Sequence, residues 1–175
     1  NAGNSFPQKR LNDCMVSGGI KYFDVHSHLN FPDFEKDREE IIEKMRREGV
    51  ATITVGTNLR TSKEAVDLAE KHEHLFASVG LHPHEAGAGF ETGEYRALAE
   101  HPKVVSIGEC GLDYYRMAED TGGEKEAQKE IFQKQIELAV ALDKPLMIHC
   151  RNAYEDVLKM LTQNKISAGK KLRGV

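Results

Sequence analysis

The chain has 175 residues, enough for one domain with a hydrophobic core, and its 39% hydrophobic and 30% charged residues are the ordinary balance of a globular protein. Its formal net charge of −4 provides no overall basic character of the kind nucleic-acid binders show, so a nucleic-acid ligand would need a local basic cleft. No apolar run approaches the roughly 18 residues of a membrane helix, and the three cysteines (Cys14, Cys110, Cys150) form no C-x-x-C pair, which excludes a disulfide scaffold or zinc knuckle and points to a reducing, cytoplasmic compartment.

Residues 1–17 are polar and carry no apolar signal-peptide core; they read as an N-terminal extension outside the fold, with Met15-Val-Ser-Gly-Gly resembling a natural start. Residues 18–175 read as one domain in which short apolar strands alternate with amphipathic helices. Strands are predicted at 21–26, 51–56, 76–81, 104–109 and 145–149, all rich in Val, Ile or Phe and bounded by Gly or Pro. Leu172 onward would open a sixth.

Between the first two strands, Ile41, Ile42 and Met45 form an inward stripe that ends at Gly49. Thr61-Ser-Lys-Glu64 has the pattern of a capping box and is followed by Ala65, Leu68 and Ala69. A weaker helix holds Tyr95, Leu98 and Ala99. The strongest runs from about Glu124 to Leu142, with Phe132, Ile136, Ala139 and Val140 on one face, and the last starts at Asn152.

Such alternation implies a parallel sheet with right-handed crossovers, either doubly wound or closed as a (β/α)₈ barrel. Both architectures bind ligands at the carboxyl ends of their strands. No G-x-G-x-x-G follows the first strand, which weakens the dinucleotide-binding version.

The unusual polar residues fall at those strand ends: Asp24-Val-His26-Ser-His28, Gly80-Leu-His82-Pro-His84, Gly108-Glu109-Cys-Gly-Leu-Asp113-Tyr114 and Ile148-His149-Cys-Arg151. Residues two apart on a strand point to the same side, so His26 and His28 aim at one point. Imidazoles with a carboxylate suit a divalent transition metal, and Glu109 is the candidate to bridge two ions. Any one of these residues alone is more simply a solvated loop side chain, but His26, His28, Glu109 and His149 together at one face favour metal.

His84 is a candidate for facing substrate, and His82 a weaker one; His-Pro-His also fits a plain turn set by Pro83. Arg151 can fork onto a phosphate or pair with a neighbouring carboxylate such as Glu155. Asp113 and Tyr114 either line the mouth or, for Asp113, brace the loop. Cys110 and Cys150 read as packing residues, and His72, His74 and His101 as surface.

Tyr22-Phe-Asp-Val-His-Ser-His-Leu-Asn30, Val79-Gly-Leu-His-Pro-His84, Ile107-Gly-Glu-Cys-Gly-Leu-Asp-Tyr114 and Pro145-Leu-Met-Ile-His-Cys-Arg151, in this order and spacing, resemble the TatD family of metal-dependent hydrolases. The resemblance implies a TIM (β/α)₈ barrel of amidohydrolase type, with about the first five to six β/α units in this sequence. It further implies a centre of two divalent ions (Mg, Mn or Zn), deoxyribonuclease activity on DNA, and metal-ligand roles for His26, His28, Glu109 and His149. Members use a further His after strand six and an Asp after strand eight, which lie past Val175. Cys110 replaces the apolar residue or Thr more usual there.

Three readings compete. The first is a phosphodiesterase acting on DNA. The second is an amidohydrolase cleaving a C–N or ester bond, disfavoured because that class often bridges its metals through a modified Lys on strand four, where this chain has Glu109. The third is an inactive fragment: without strands six to eight the sheet has open edges, so the chain is expected to be poorly active and prone to associate. No feature points to a membrane or an obligate protein partner.

Overall fold

A computed structural model describes residues 19–115, 117, 123–168 and 172–175. The expected 1–17 extension, with Cys14, lies outside these residues. In chain order the elements are β1 (Tyr22–Ser27), α1 (Arg38–Glu48), β2 (Val50–Val55), α2 (Leu59–Lys71), β3 (Leu75–Val79), α3 (Thr92–Ala99), β4 (Val104–Asp113), α4 (Glu124–Ala141), β5 (Leu146–Arg151) and α5 (Tyr154–Ala168). Short 3₁₀ turns stand at Pro32–Phe34 and Pro83–Ala88. Among the described residues no helix is long and apolar enough to cross a membrane.

The five strands form one sheet in the order β1-β2-β3-β4-β5, every neighbouring pair parallel. An order that follows the sequence without reversal has no switch point, which separates a partial TIM barrel from the doubly wound alternative. Residues 173–175 already pair with β5: Leu146 N donates to Arg173 O at 2.8 Å and Val175 N to Leu146 O at 3.0 Å.

The core lies between sheet and helices. Ile42, Leu75, Val79, Leu81, Ile107, Phe132, Ile136 and Leu146 are buried in one cluster. The inward stripe of α4 includes two polar side chains seven residues apart. Gln135 Oε1 accepts from Leu81 N at 2.8 Å, and its Nε2 donates to Leu81 O at 3.0 Å. Gln128 does the same for Asp113, accepting from its N at 2.8 Å and donating to its O at 3.2 Å. Each glutamine thus supplies a missing strand partner just where β3 and β4 open into the mouth.

Local differences from the sequence reading have physical causes. The cap of α2 is Asn58, not Thr61: Asn58 Oδ1 accepts from Thr61 N, and Thr61 Oγ1 from Asn58 N, both at 3.0 Å. Asn caps as well as Thr, and the Thr61 hydroxyl fills the role assigned to Glu64. Asn152 is left-handed at φ 54, so α5 starts at Tyr154. His74 is core rather than surface: it is buried and donates from Nε2 to Ile42 O at 3.2 Å.

Strand β4 runs four residues past Glu109, the expected end, because Gly108 and Gly111 adopt φ +148 and +141, open mainly to glycine. A Cβ on Gly111 would stand 2.0 Å from His149 O, so β4 and β5 approach as closely as they do only because that atom is missing.

Two predictions follow from the buried polar groups. Gln135→Leu strands the Leu81 amide and carbonyl and is expected to destabilise the fold by roughly 1–3 kcal/mol in urea unfolding; a stability within error of the parent would show that these groups find other partners. Burial lowers the pKa of His74. Below about pH 6.5 the unfolded chain takes up a proton at this imidazole that the folded chain resists, so the stability it contributes is present above that pH and lost on acidification. Going from about pH 7.5 to about pH 5.5 should therefore cost the parent more stability than it costs His74→Gln; equal losses would rule this out.

Candidate metal centre

The site is built on the backbone of Glu109. The β4–β5 register breaks between Ile107 and Cys110. The Glu109 amide instead donates to Gly56 O, just beyond β2, at 3.1 Å. This pulls the carboxylate over the strand ends, where its two oxygens serve different neighbours. Oε2 stands 3.5 Å from His26 Nε2 and 4.0 Å from His28 Nε2. Oε1 stands 3.1 Å from His149 Nδ1 and 4.0 Å from His82 Nε2.

The HxH pair converges at the end of β1, where the register with β2 shifts between Asp24 and Ser27, with 3.3 Å between the two Nε2 atoms. His28 Nδ1 donates to Val55 O at 3.1 Å. A carbonyl only accepts, so the His28 proton is on Nδ1 and the Nε2 lone pair faces the pocket. Ligands about 2.1 Å from one ion at a tetrahedral angle stand roughly 3.4 Å apart. The His26–His28 and His26–Glu109 separations fit this, and the His28–Glu109 separation is slightly wide. His26, His28 and Glu109 form one group with ligand atoms within 4.8 Å of one another; His82, Glu109 and His149 form a second. Each group offers imidazole nitrogen and carboxylate oxygen of the kind that suits a divalent ion, and Glu109 belongs to both.

Protonation follows the same contacts. Burial works against the Glu109 charge, but hydrogen bonds with His149 and His26 outweigh it and hold the carboxyl well below its ordinary range. In return the Glu109 hydrogen bonds raise His26 and His149 against the opposing effect of burial. Burial takes His82 down to about 4.

Asp113 is the second hub. Its side chain is fully enclosed; Oδ2 lies 2.9 Å from His149 Nε2, 3.0 Å from His84 Nε2 and 2.9 Å from Arg151 Nη2. Oδ1 accepts from Tyr115 N at 3.0 Å and Arg151 Nε at 3.1 Å. Burial opposes its charge, yet Arg151, the Tyr115 amide and His149 hold the carboxyl down to about 2. His149 thus stands between two carboxylates, with Glu109 at Nδ1 and Asp113 at Nε2.

The remaining candidates fall around this pair. Arg151, for which the sequence offers a phosphate or a neighbouring carboxylate such as Glu155, pairs with Asp113, with the guanidinium also 4.4 Å over the Tyr115 ring. Tyr114 donates its hydroxyl to Asp156 Oδ2 on α5 at 2.8 Å. His84 is tied to Asp113, whereas His82 faces Glu109. Pro83 opens a 3₁₀ turn there, so strand alternation does not carry through His-Pro-His. Cys110 is buried, and burial raises its thiol pKa. Gln128 and Gln135 are not among the residues the motifs single out, although glutamines in the inward register of an otherwise apolar helix face are a readable signal.

Residues 23–175 match the family model described as TatD related DNase. A 3'-5' ssDNA/RNA exonuclease TatD from Erwinia tasmaniensis is 38% identical over 143 residues, covering 79% of this chain and 54% of that protein. An uncharacterized metal-dependent hydrolase, YabD, from Bacillus subtilis is 38% identical over 149 residues, covering 83% and 57%. Among solved structures, YjjV, a TatD homologue from Escherichia coli K12, aligns with a TM-score of 0.72 at 26% identity over 83% of this chain and 57% of that one. The chain spans about half the length of the curated relatives it matches. With four motifs in order, a half-barrel that carries them to one mouth, and a family match over residues 23–175, the chain belongs to the TatD-related DNase family of metal-dependent hydrolases.

Proposed function

We propose that this chain supplies the first half of a two-metal phosphodiesterase centre that acts on DNA in the cytoplasm. The observation that carries the reading is the division of the Glu109 carboxylate, with Oε2 turned to His26 and His28 and Oε1 to His149. His26, His28 and Glu109 would hold one ion, and Glu109 with His149 the other; Mg, Mn and Zn all suit such mixed ligands. Bound divalent ions supply Lewis-acid polarisation of a phosphoryl oxygen and a lowered pKa for water.

The chain's own groups do the rest. Asp113 fixes the His149 ring through Nε2 and keeps Nδ1 aimed at the centre. Arg151, held by Asp113 and about half exposed, offers its remaining N–H groups to a phosphate, and His84, whose Nε2–H is given to Asp113, lines the substrate side of the same mouth. Tyr114, with its hydroxyl committed to Asp156, contributes to the wall of the mouth. Asp113, having no exposed surface, acts on substrate only through these neighbours. A reducing compartment suits the free thiols of Cys110 and Cys150. The amidohydrolase alternative lacks a Lys at the end of β4. The Erwinia tasmaniensis relative is named for single-stranded DNA and RNA, so both belong in the assay.

Cleavage of a single-stranded DNA oligonucleotide by this chain is expected to be weak, because the chain supplies only part of the centre; what cleavage there is should require added Mn²⁺ or Mg²⁺, stop with EDTA, and fall to background in Glu109→Gln. Turnover that survives either the chelator or the substitution would sink the two-metal reading. Independently of turnover, Asp113→Asn is expected to weaken Mn²⁺ binding about 10- to 100-fold by calorimetry, the usual cost of losing a carboxylate behind a ligating His; unchanged affinity would return Asp113 to a loop-bracing role.

A further inference from the structure

His82 sits in the second cluster as though it were a ligand, with its ring centroid 4.3 Å from that of His149 and its side chain only 14% exposed. Its hydrogen bonding says otherwise. The backbone amide of His84 donates to His82 Nδ1 at 3.2 Å. An amide N–H can only donate, so Nδ1 must keep its lone pair, and a neutral imidazole then carries its proton on Nε2. Nε2 is the atom that faces the centre, 4.0 Å from Glu109 Oε1 and beyond hydrogen-bonding distance of it.

His28 is the internal control. Its Nδ1 gives a proton to Val55 O, so its Nε2 shows the pocket a lone pair. The two imidazoles look into one pocket in opposite tautomers. A metal needs the lone pair; at His82 it would have to break the His84 amide contact or displace the Nε2 proton. An anionic oxygen needs the N–H.

The backbone around His82 is fixed against reorientation. Its amide donates to Thr57 O at 2.8 Å, Gln135 clamps both polar groups of Leu81, and Pro83 sets the turn that follows. Resting on the two-metal reading above, we infer that His82 is not a metal ligand but a neutral hydrogen-bond donor, its Nε2–H placed to bind a non-bridging oxygen of the phosphate beside Glu109 and His149. A donor held in place in a poorly solvated pocket stabilises charge on that oxygen without reorganising.

The test has three readouts on this chain. In ¹⁵N-histidine NMR of the metal-free chain, His82 should show the Nε2–H tautomer and His28 the Nδ1–H tautomer. In calorimetry, His82→Ala should bind Mn²⁺ as the parent does, while His28→Ala should lose affinity. With Mn²⁺ present, His82→Ala should bind inorganic phosphate roughly 10-fold or more weakly than the parent, and His82→Gln, which retains an N–H donor, should recover part of the loss. A proton found on Nδ1 of His82, a drop in Mn²⁺ affinity on His82→Ala, or phosphate binding indifferent to that substitution would each overturn the assignment. If the parent bound no Mn²⁺, the two-metal reading would fall by itself, and the tautomer would then decide for or against His82 as a donor.

Discussion

The mouth of this half-barrel depends on one backbone hydrogen bond, from the Glu109 amide to Gly56 O. It draws Glu109 out of register with β5 and across towards β2, so that a single carboxylate reaches imidazoles from both β1 and β5. Histidines gathered this closely would otherwise resist sharing positive charge. The carboxylate between them removes that conflict, and burial makes each of its contacts stronger than it would be in water.

The second constraint comes from outside the sheet. Helix α4 packs on it through Phe132 and Ile136, yet Gln128 and Gln135 reach through the same face to the backbones of Asp113 and Leu81. One rigid helix therefore sets the loop that leads into His82 and the strand end that carries Asp113. Asp113 passes that order on to His149, His84 and Arg151. The centre is held by two nested layers of polar contacts, and the outer one belongs to a helix with no residue at the centre.

What the sequence discloses follows from what has a period. His26 and His28 are legible because residues two apart at a strand end share a side, which holds here despite the register shift between Asp24 and Ser27, and Glu109 and His149 because strand ends in parallel sheets share one face. How His82 and His84 are directed is not legible in the same way, because Pro83 starts a turn in which that alternation no longer applies. The run of β4 to Asp113 is hidden by Gly108 and Gly111, which in sequence resemble a stop and in the fold let the ladder resume. The burial of His74 depends on a carbonyl from α1 thirty-two residues earlier, which no local pattern contains. Asn58 was within reach: it is as good a cap as Thr61 and sits three residues ahead of it.

Gly111 has a consequence for the chemistry that its position in β4 conceals. With the carbonyl oxygen of His149 where a Cβ would have to go, the distance between the two strands is set by a hydrogen atom in place of a methyl group. Glu109 lies two residues before that contact, and His149 is the contact. The spacing across which two ions would share one carboxylate is thus gauged by the smallest side chain available, and any larger residue at 111 would prise the shared bridge open from behind.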